Sequence, residues 1–357
     1  MFLAGVVVVK EKTPNVKEML RVAAPRGAIK QNILKVTKRH PYISLIELGR
    51  SVHAPIVDIE QAIFDLRRDG YELRLKGETV ERDILPPPAR PTSHFWRIRK
   101  ARPIKVGIVT DTHLGSIHAR LDALTTAYEH FAAEGIKRVY HGGNLIDGYK
   151  IGVNEFELLE EAGPSIERQI SYATQVYPQK PNIKTFFITG ECHEGWWIKK
   201  TGLNIGRLIE SRFRERGRDD MEYLGHLEAD IELRTSNLPK SQRGPIMRIF
   251  HPGGGTAYAL SYKAQKIAAS LQGGEKPQIQ IITHFHKFDY NYAREIHNVL
   301  GACLQDQTTF MRQRHIEAHV GYLILDIKIA PDGVVESFKV ELKAFYDRAF
   351  YKDYLRK

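Results

Sequence analysis

Carboxylate, carboxamide and imidazole side chains, the oxygen and nitrogen donors that hold divalent cations, recur in five short clusters between residues 111 and 286. The first is Asp111-Thr112-His113, and the second is Asn144-Leu145-Ile146-Asp147 behind a pair of glycines. Then follow Glu191-Cys192-His193-Glu194, a lone His251, and His284-Phe285-His286. Donors one residue apart at a strand end point to the same side, so Asp111 and His113 can share one ion, and His284 with His286 makes a second same-side pair. Two cations about 3.5–4 Å apart can clamp a phosphate, lower the pKa of a water between them and stabilise a leaving oxygen.

Most of these clusters close an apolar run. Residues 105–110, 138–142, 184–189, 246–250 and 279–283 have the length and turn-bounded composition of buried strands. Helices are expected near 119–134, 154–178, 202–216 and 258–271, and further strands near 320–328 and 334–341, which follow one another directly and should pair antiparallel. The alternation predicts a layered α/β sandwich whose ligands sit on loops at one edge of the sheets.

The ordered set resembles the calcineurin-like metallophosphoesterases, whose pattern runs Asp-x-His, Gly-Asp-x-x-Asp, Gly-Asn-His-Asp/Glu, a lone His, then Gly-His-x-His. The likeness covers roughly residues 104–341, and the Asp111-Thr-His-Leu-Gly-Ser116 form of the first motif is similar to that of double-strand-break repair nucleases. It implies an αββα sandwich and a two-metal phosphodiester hydrolase acting on DNA, with manganese as the metal and magnesium or zinc as alternatives. By position, Asp111, His113 and His286 would hold the first ion, and His251 and His284 the second. His193 would stand beside the scissile phosphate, and Asp147 and Glu194 would orient that histidine and the loops. Related repair nucleases also imply a homodimer.

Two positions depart from the pattern. Asn144 stands where the family places the aspartate that bridges both ions, and a neutral amide offers only its carbonyl oxygen and one charge fewer. Weak metal binding and little turnover are expected, whether the residue is an introduced Asp→Asn change or a mark of natural decay. Gly190-Glu-Cys-His-Glu194 is one residue longer than the family's motif. The second-ion ligand supplied there by asparagine would come from Cys192, which keeps the spacing to His193, or from Glu191. Thiolate would favour zinc and carboxylate manganese or magnesium, and a small buried cysteine is the bland alternative.

A second module precedes these motifs. Residues 28–40 have helical apolar spacing and end at Pro41, Ser44 can cap a second helix to about Val52, and Pro55 opens a third that stops at Gly70. Residues 71–82 read as a hairpin turning near Lys76-Gly77. Three helices and a hairpin look like a winged helix-turn-helix domain over 28–84. Its third helix is rich in aspartate and glutamate, so DNA contact is expected through backbone phosphates at Lys35, Lys38 and Arg39 of the first helix, with protein docking as the other reading. Residues 1–27 form an arm, 85–103 a proline-rich basic linker, and 342–357 a basic aromatic tail. In the linker, Arg97, Arg99 and Lys100 beside Phe95 and Trp96 could meet a strand by charge and stacking, or the aromatics could pack on the next domain.

The chain of 357 residues carries a net charge of +11, which favours polyanionic partners such as single- or double-stranded DNA. Two cysteines exclude a disulfide framework and fit a reducing, cytoplasmic compartment. The apolar opening of residues 1–9 lacks a basic leader and is too short to span a bilayer, so no membrane partner is expected. Tyr149, Tyr290 and Arg294 lie near ligands in sequence as candidate phosphate or base contacts, and Trp196 and Trp197 could wall a cleft or pack. Two other activities fit the same residues: a phosphomonoesterase on small molecules or nucleic-acid ends, and a catalytically silent DNA-binding scaffold.

Overall fold

The computed structural model describes residues 26–68, 73–82, 92–98, 103–236, 238, 243–271 and 276–345. The chain divides at residue 90/91 into two compact units. Among the described residues no helix is long and apolar enough to cross a membrane.

In the first unit, α1 (Arg26–Arg39), α2 (Leu45–Val52) and α3 (Ile56–Arg68) pack on a small antiparallel sheet. Its strands are β1 (Tyr42–Ser44), β2 (Leu73–Lys76) and β3 (Thr79–Arg82), in the order β1-β3-β2. Ser44 starts α2 through a capping box, accepting from the Glu47 N–H while the Glu47 carboxylate accepts from the Ser44 N–H. The hairpin turns at Gly77, whose φ of +59° suits glycine. Ile29, Ile33, Leu48, Ile59, Leu66, Leu73 and Val80 form one buried core. Arg82 ties β3 to α1 by donating to the Leu34 carbonyl at 2.6 Å.

The second unit stacks two six-stranded sheets between helices, the layered α/β sandwich that the alternation predicts. One sheet holds β5 (Ile104–Val109), β6 (Arg138–His141), β7 (Lys184–Thr189), β8 (Met221–His226), β14 (Gly321–Ile329) and β15 (Val335–Ala344), in the order β15-β14-β5-β6-β7-β8. The other holds β4 (Thr92–Ile98), β9 (Glu228–Thr235), β10 (Ile246–Phe250), β11 (Ile279–Ile282), β12 (Asp289–Ala293) and β13 (Ile296–Leu300), in the order β12-β13-β11-β10-β9-β4. The runs β5-β6-β7-β8 and β10-β11-β13 are parallel, so the loops after β5, β6, β7, β10 and β11 leave carboxyl ends of neighbouring strands. As expected, β14 and β15 pair antiparallel.

Ile104, Val106 and Ile108 face Ile231, Met247, Ile249 and Ile281 in a core between the sheets. On the outer side of the first sheet lie α4 (Leu121–Ala133), α5 (Ile166–Val176) and α7 (Ile205–Glu215), contributing Leu124, Phe131, Ile170, Ile209 and Phe213 to a second core; α6 (Glu194–Thr201) follows the third ligand motif, and α8 (Leu260–Ser270) packs on β12 and β13. Gly107 lets Phe131 lie against β5, since a Cβ there would meet the ring at 2.7 Å. Gly107→Ala is expected to lower stability by about 1–3 kcal/mol through overpacking. An unchanged urea midpoint would show that the ring moves aside without cost.

Three expectations shift. Residues 154–164 are mostly turns, and helix begins only after Gly163-Pro164, where Ser165 caps α5 by accepting from the Arg168 N–H. Within the stretch read as a linker, residues 92–98 form β4, which extends the second sheet beside β9. At the other boundary β15 runs to Ala344, past residue 341. Arg99 and Lys100, the proline run, residues 1–25 of the arm and the tail beyond residue 345 lie outside the described residues.

Candidate metal centre

The five loops converge at one edge of the two sheets. The Asp111 Oδ1 atom lies 3.4 Å from His286 Nε2, 3.8 Å from His113 Nε2 and 4.0 Å from His251 Nε2. Asn144 closes the cluster, its amide nitrogen 3.3 Å from Asp111 Oδ1 and 3.1 Å from His251 Nε2. Backbone bonds carry the convergence: the Asp111 N–H donates to the Gly143 carbonyl, the His113 N–H to the Asn144 carbonyl, and the His284 N–H to Asp111 Oδ2.

The loops that carry the ligand motifs turn sharply. Asp111, His113, Asn144, His284 and His286 all have positive φ, between 45° and 81°, and so does His193 at 58°. Left-handed backbone at a branched or ring-bearing residue persists only where its surroundings over-determine it, and such residues cluster at functional sites. Close approach demands glycine in two places. A Cβ at Gly190 would run into the Asn144 and His251 side chains, and one at Gly148 would meet the His193 carbonyl oxygen at 2.7 Å.

The donors fit a metal ion. Asp111, His113 and His286 present ligand atoms within 4.8 Å of one another, all buried. His113 Nε2 and Asn144 Oδ1 are buried with no hydrogen-bond partner among the described residues, while His286 faces Asp111 through Nε2. Buried polar atoms are seldom left so, and an oxygen–imidazole set is one that manganese, magnesium or zinc accepts. His251 bonds through Nδ1 to the Gly142 carbonyl at 2.8 Å and lies 2.9 Å from the Thr283 hydroxyl, which directs Nε2 into the cluster. Burial pushes its pKa down to about 3, leaving the ring neutral and able to ligate. For Asp111, burial works toward a higher pKa, but His286, His251 and His113 outweigh it and hold the carboxyl well below its ordinary range.

The remaining candidates are placed differently. The His284 ring bonds through Nε2 to the Gly254 carbonyl at 2.7 Å. Cys192 donates its thiol to Glu191 Oε2 at 3.1 Å, and Glu191 is ion-paired with Lys199. Burial, with the Glu191 carboxylate beside it, pushes the Cys192 thiol up to about 12. Both alternatives for the longer third motif are therefore engaged with one another.

Asp147 and Glu194 act on the loops. Asp147 Oδ1 accepts from His113 Nδ1 at 2.9 Å and lies 3.4 Å from His193 Nδ1, whose ring also bonds the Asp147 carbonyl at 2.5 Å. Its Oδ2 accepts from the Asn154 amide at 2.7 Å. In Asp147→Asn the amide can keep an oxygen on His113 only by turning its NH2 toward the Asn154 donor, so the anchor of the His113 tautomer weakens. Manganese affinity, measured calorimetrically, is expected to fall roughly ten- to hundredfold; an unchanged affinity would separate Asp147 from ligation. Glu194 accepts from the N–H groups of Asn144 at 3.0 Å, Ile146 at 3.2 Å, Gly190 at 2.9 Å, and Leu145. Burial pushes its pKa up to about 7 against the pull of those donors.

His193 stacks on Trp196 with ring centroids 4.4 Å apart and meets the His113 ring edge-on at 4.3 Å. Trp196 borders the cleft, whereas Trp197 packs on the helical core. His141 is buried and bonded to Thr112 at 3.0 Å, and burial drives its pKa down to about 3. Neither Tyr290 nor Arg294 lines the cleft: the Tyr290 hydroxyl pairs with His297, and Arg294 donates to carbonyls of Ala268 and Ala269. Sequence reasoning missed Asn154 and Glu157 as cleft residues, because residues 154–178 read as one helix, and it missed the apolar wall at α9 (Thr309–Gln313). Gly163-Pro164-Ser165 was the available signal.

Lys35, Lys38 and Arg39 are exposed on α1, and Arg97 is exposed on β4.

The fold and the site together define an α/β sandwich carrying a buried carboxylate–imidazole cluster suited to a divalent cation. No protein-family model and no curated protein matches the chain. Similar solved structures include an archaeal phosphodiesterase at 14% identity, covering 67% of this chain and 100% of that one with a TM-score of 0.33. Vps29 of Entamoeba histolytica complexed with zinc matches at 11% identity, over 68% of this chain and 100% of that one, with a TM-score of 0.28. A 5'-nucleotidase precursor from Thermus thermophilus matches at 12% identity, over 71% of this chain and 58% of that one, with a TM-score of 0.35.

Proposed function

We propose that this chain is a metal-dependent phosphodiester hydrolase of the two-ion type, built to act on DNA and weakened by Asn144. The observation that carries the reading is the buried meeting of Asp111, His113, Asn144, His251 and His286 at the carboxyl edge of two sheets, with ligand atoms left unpartnered. Those residues would hold manganese or a similar ion, which when bound polarises a phosphate and activates water. The chain's own part is positional. His193, anchored through Nδ1 on Asp147, keeps its other nitrogen for the phosphate or its leaving oxygen, and Glu194 holds the loops that present Asn144 and His193.

DNA enters the proposal through charge. A net charge of +11 and the exposed Lys35, Lys38 and Arg39 on α1 suit backbone phosphates, in a first unit read as a winged helix-turn-helix. The direct test is manganese-dependent cleavage of end-labelled single- and double-stranded DNA by this chain and by Asn144→Asp, with a nitrophenyl phosphodiester as control. Cleavage of the control alone would leave a phosphoesterase without DNA as substrate. Reversing charge at Lys35, Lys38 and Arg39 is expected to cost roughly tenfold or more in DNA affinity at low salt and to flatten its salt dependence; unchanged binding would turn the first unit toward protein partners.

One observation favours a second reading, a silent DNA-binding scaffold. The Asn144 amide approaches both Asp111 and His251 through its nitrogen, so these groups satisfy one another without an ion. If Asn144→Asp stays inactive while DNA still binds without metal, the scaffold reading prevails.

A further inference from the structure

A cavity of about 380 Å3 opens from the ligand cluster and runs beneath residues 153–157 and the α9 segment. That volume lies within the range of small-molecule sites, about 300–1,000 Å3. His113, Asn144 and His286 stand in its wall, so whatever fills it lies next to the reacting phosphate. Away from those ligands the lining turns apolar, with Val153, Trp196, Phe285, Phe310, Met311 and Ile316.

Charge narrows the occupant further. No lysine or arginine among the described residues lines the cavity, and Glu157 stands in its wall. Its carboxylate lies 3.3 Å from His118 and accepts from the Thr309 N–H at 2.9 Å. A second phosphate would meet a carboxylate and apolar surface in this wall, to which Lys150 and Arg314 do not belong although they lie over the rings of Trp196 and Phe310 at 5.6 and 5.9 Å, so a continuous stretch of polyanionic backbone fits it poorly. A neutral, flat group does, and the polar positions Asn154, Gln305 and Thr308 supply donors and acceptors for its edge.

We infer that this cavity receives one unstacked nucleobase, attached through its sugar to the phosphate at the metal centre, so that the preferred substrate is an unpaired or terminal nucleotide rather than continuous duplex. The inference rests on the phosphodiesterase reading above. Extruding a base into an apolar pocket and stacking it on aromatic rings is how proteins reach a nucleotide outside the helix, and unpaired ends need least energy to be extruded. Phe310, half exposed at the rim, offers such a ring.

The test compares three probes in saturating manganese by calorimetry, on this chain and on Asn144→Asp: deoxyadenosine 5'-monophosphate, deoxyribose 5-phosphate and inorganic phosphate. The nucleotide is expected to bind about fivefold to a hundredfold more tightly than the sugar phosphate, the range of one base–aromatic stack. Phe310→Ala should reduce that ratio, and Ile316→Trp, which fills the cavity, should remove it while inorganic phosphate binds as before. Equal affinity for nucleotide and sugar phosphate, with phosphate bound, would overturn the base pocket and leave the phosphoesterase reading standing. Failure of both proteins to bind manganese and phosphate would overturn that reading and the pocket with it.

Discussion

Replacing Asn144 with aspartate is expected to raise manganese affinity roughly ten- to hundredfold, since a direct ligand should matter at least as much as the supporting groups whose loss has that effect. Phosphodiester turnover should rise by about a hundredfold or more, the scale of removing one pre-positioned electrostatic group from a site. The position is fully buried among Asp111, His251 and the Gly190 backbone, where water screens little. An amide there sets one neutral dipole among ligands that must balance two dications, whereas a carboxylate supplies a negative charge and can bridge both. Side-chain size hardly changes, so the substitution tests charge with little disturbance of packing. Calorimetric manganese titration and steady-state hydrolysis of a nitrophenyl phosphodiester check the two halves separately. Tighter metal binding without turnover would mean that ligation is restored but His193 or the phosphate is misplaced; no change in either would remove Asn144 from the centre.

Glu194→Ala is expected to lower folding stability by about 4 kcal/mol, because the backbone N–H groups of Asn144, Leu145, Ile146 and Gly190 would lose their shared acceptor inside the protein. An unsatisfied buried donor costs about 1–3 kcal/mol, and the figure assumes that water entering the gap satisfies some of them. Glu194→Gln keeps the shape but turns an NH2 toward donors, so about half of that loss is expected. Urea denaturation reads both changes. A second readout separates a catalytic loss from a merely structural one: where the folded population is kept above nine-tenths, metal affinity should still fall, because the carboxylate locks the Asn144 loop to the His193 loop. Stability within about 0.5 kcal/mol of the parent would show that the four donors find other partners.

The strands that carry the ligands were legible because each is an apolar run ended by turn residues, as at residues 105–110 and 184–189. The polar strands were not. β12, Asp289–Ala293, alternates half-buried and exposed residues at a sheet edge, and β9 carries Glu228, Asp230, Glu232 and Arg234, so neither shows a continuous apolar signal. Asp230 is buried only because it pairs with Arg248 of the next strand at 2.7 Å, a partnership fixed by register rather than by local sequence. At the site, spacing could pair Asp111 with His113, but it could not foresee that both lie beyond the end of β5 with left-handed backbone rather than on one side of a strand, nor that the His284 ring turns to the Gly254 carbonyl. Nor could it show that Cys192 and Glu191 occupy one another, since that depends on Lys199 reaching back from the following helix, Glu194–Thr201.

The left-handed backbone at residue 144 bears on how such a chain changes over generations. Asparagine and aspartate are the side chains that tolerate that conformation best after glycine, and both can leave the Asn144 N–H on Glu194 and the Asn144 carbonyl on His113. Exchange between them leaves those backbone bonds in place and changes only the group that faces Asp111, where a carboxylate needs bound cations to offset its charge. The two residues are also one nucleotide apart in the genetic code. A lineage can therefore silence or reawaken this centre in a single mutational step without redrawing the backbone around it, and a population carrying both forms would keep the same architecture with and without its chemistry.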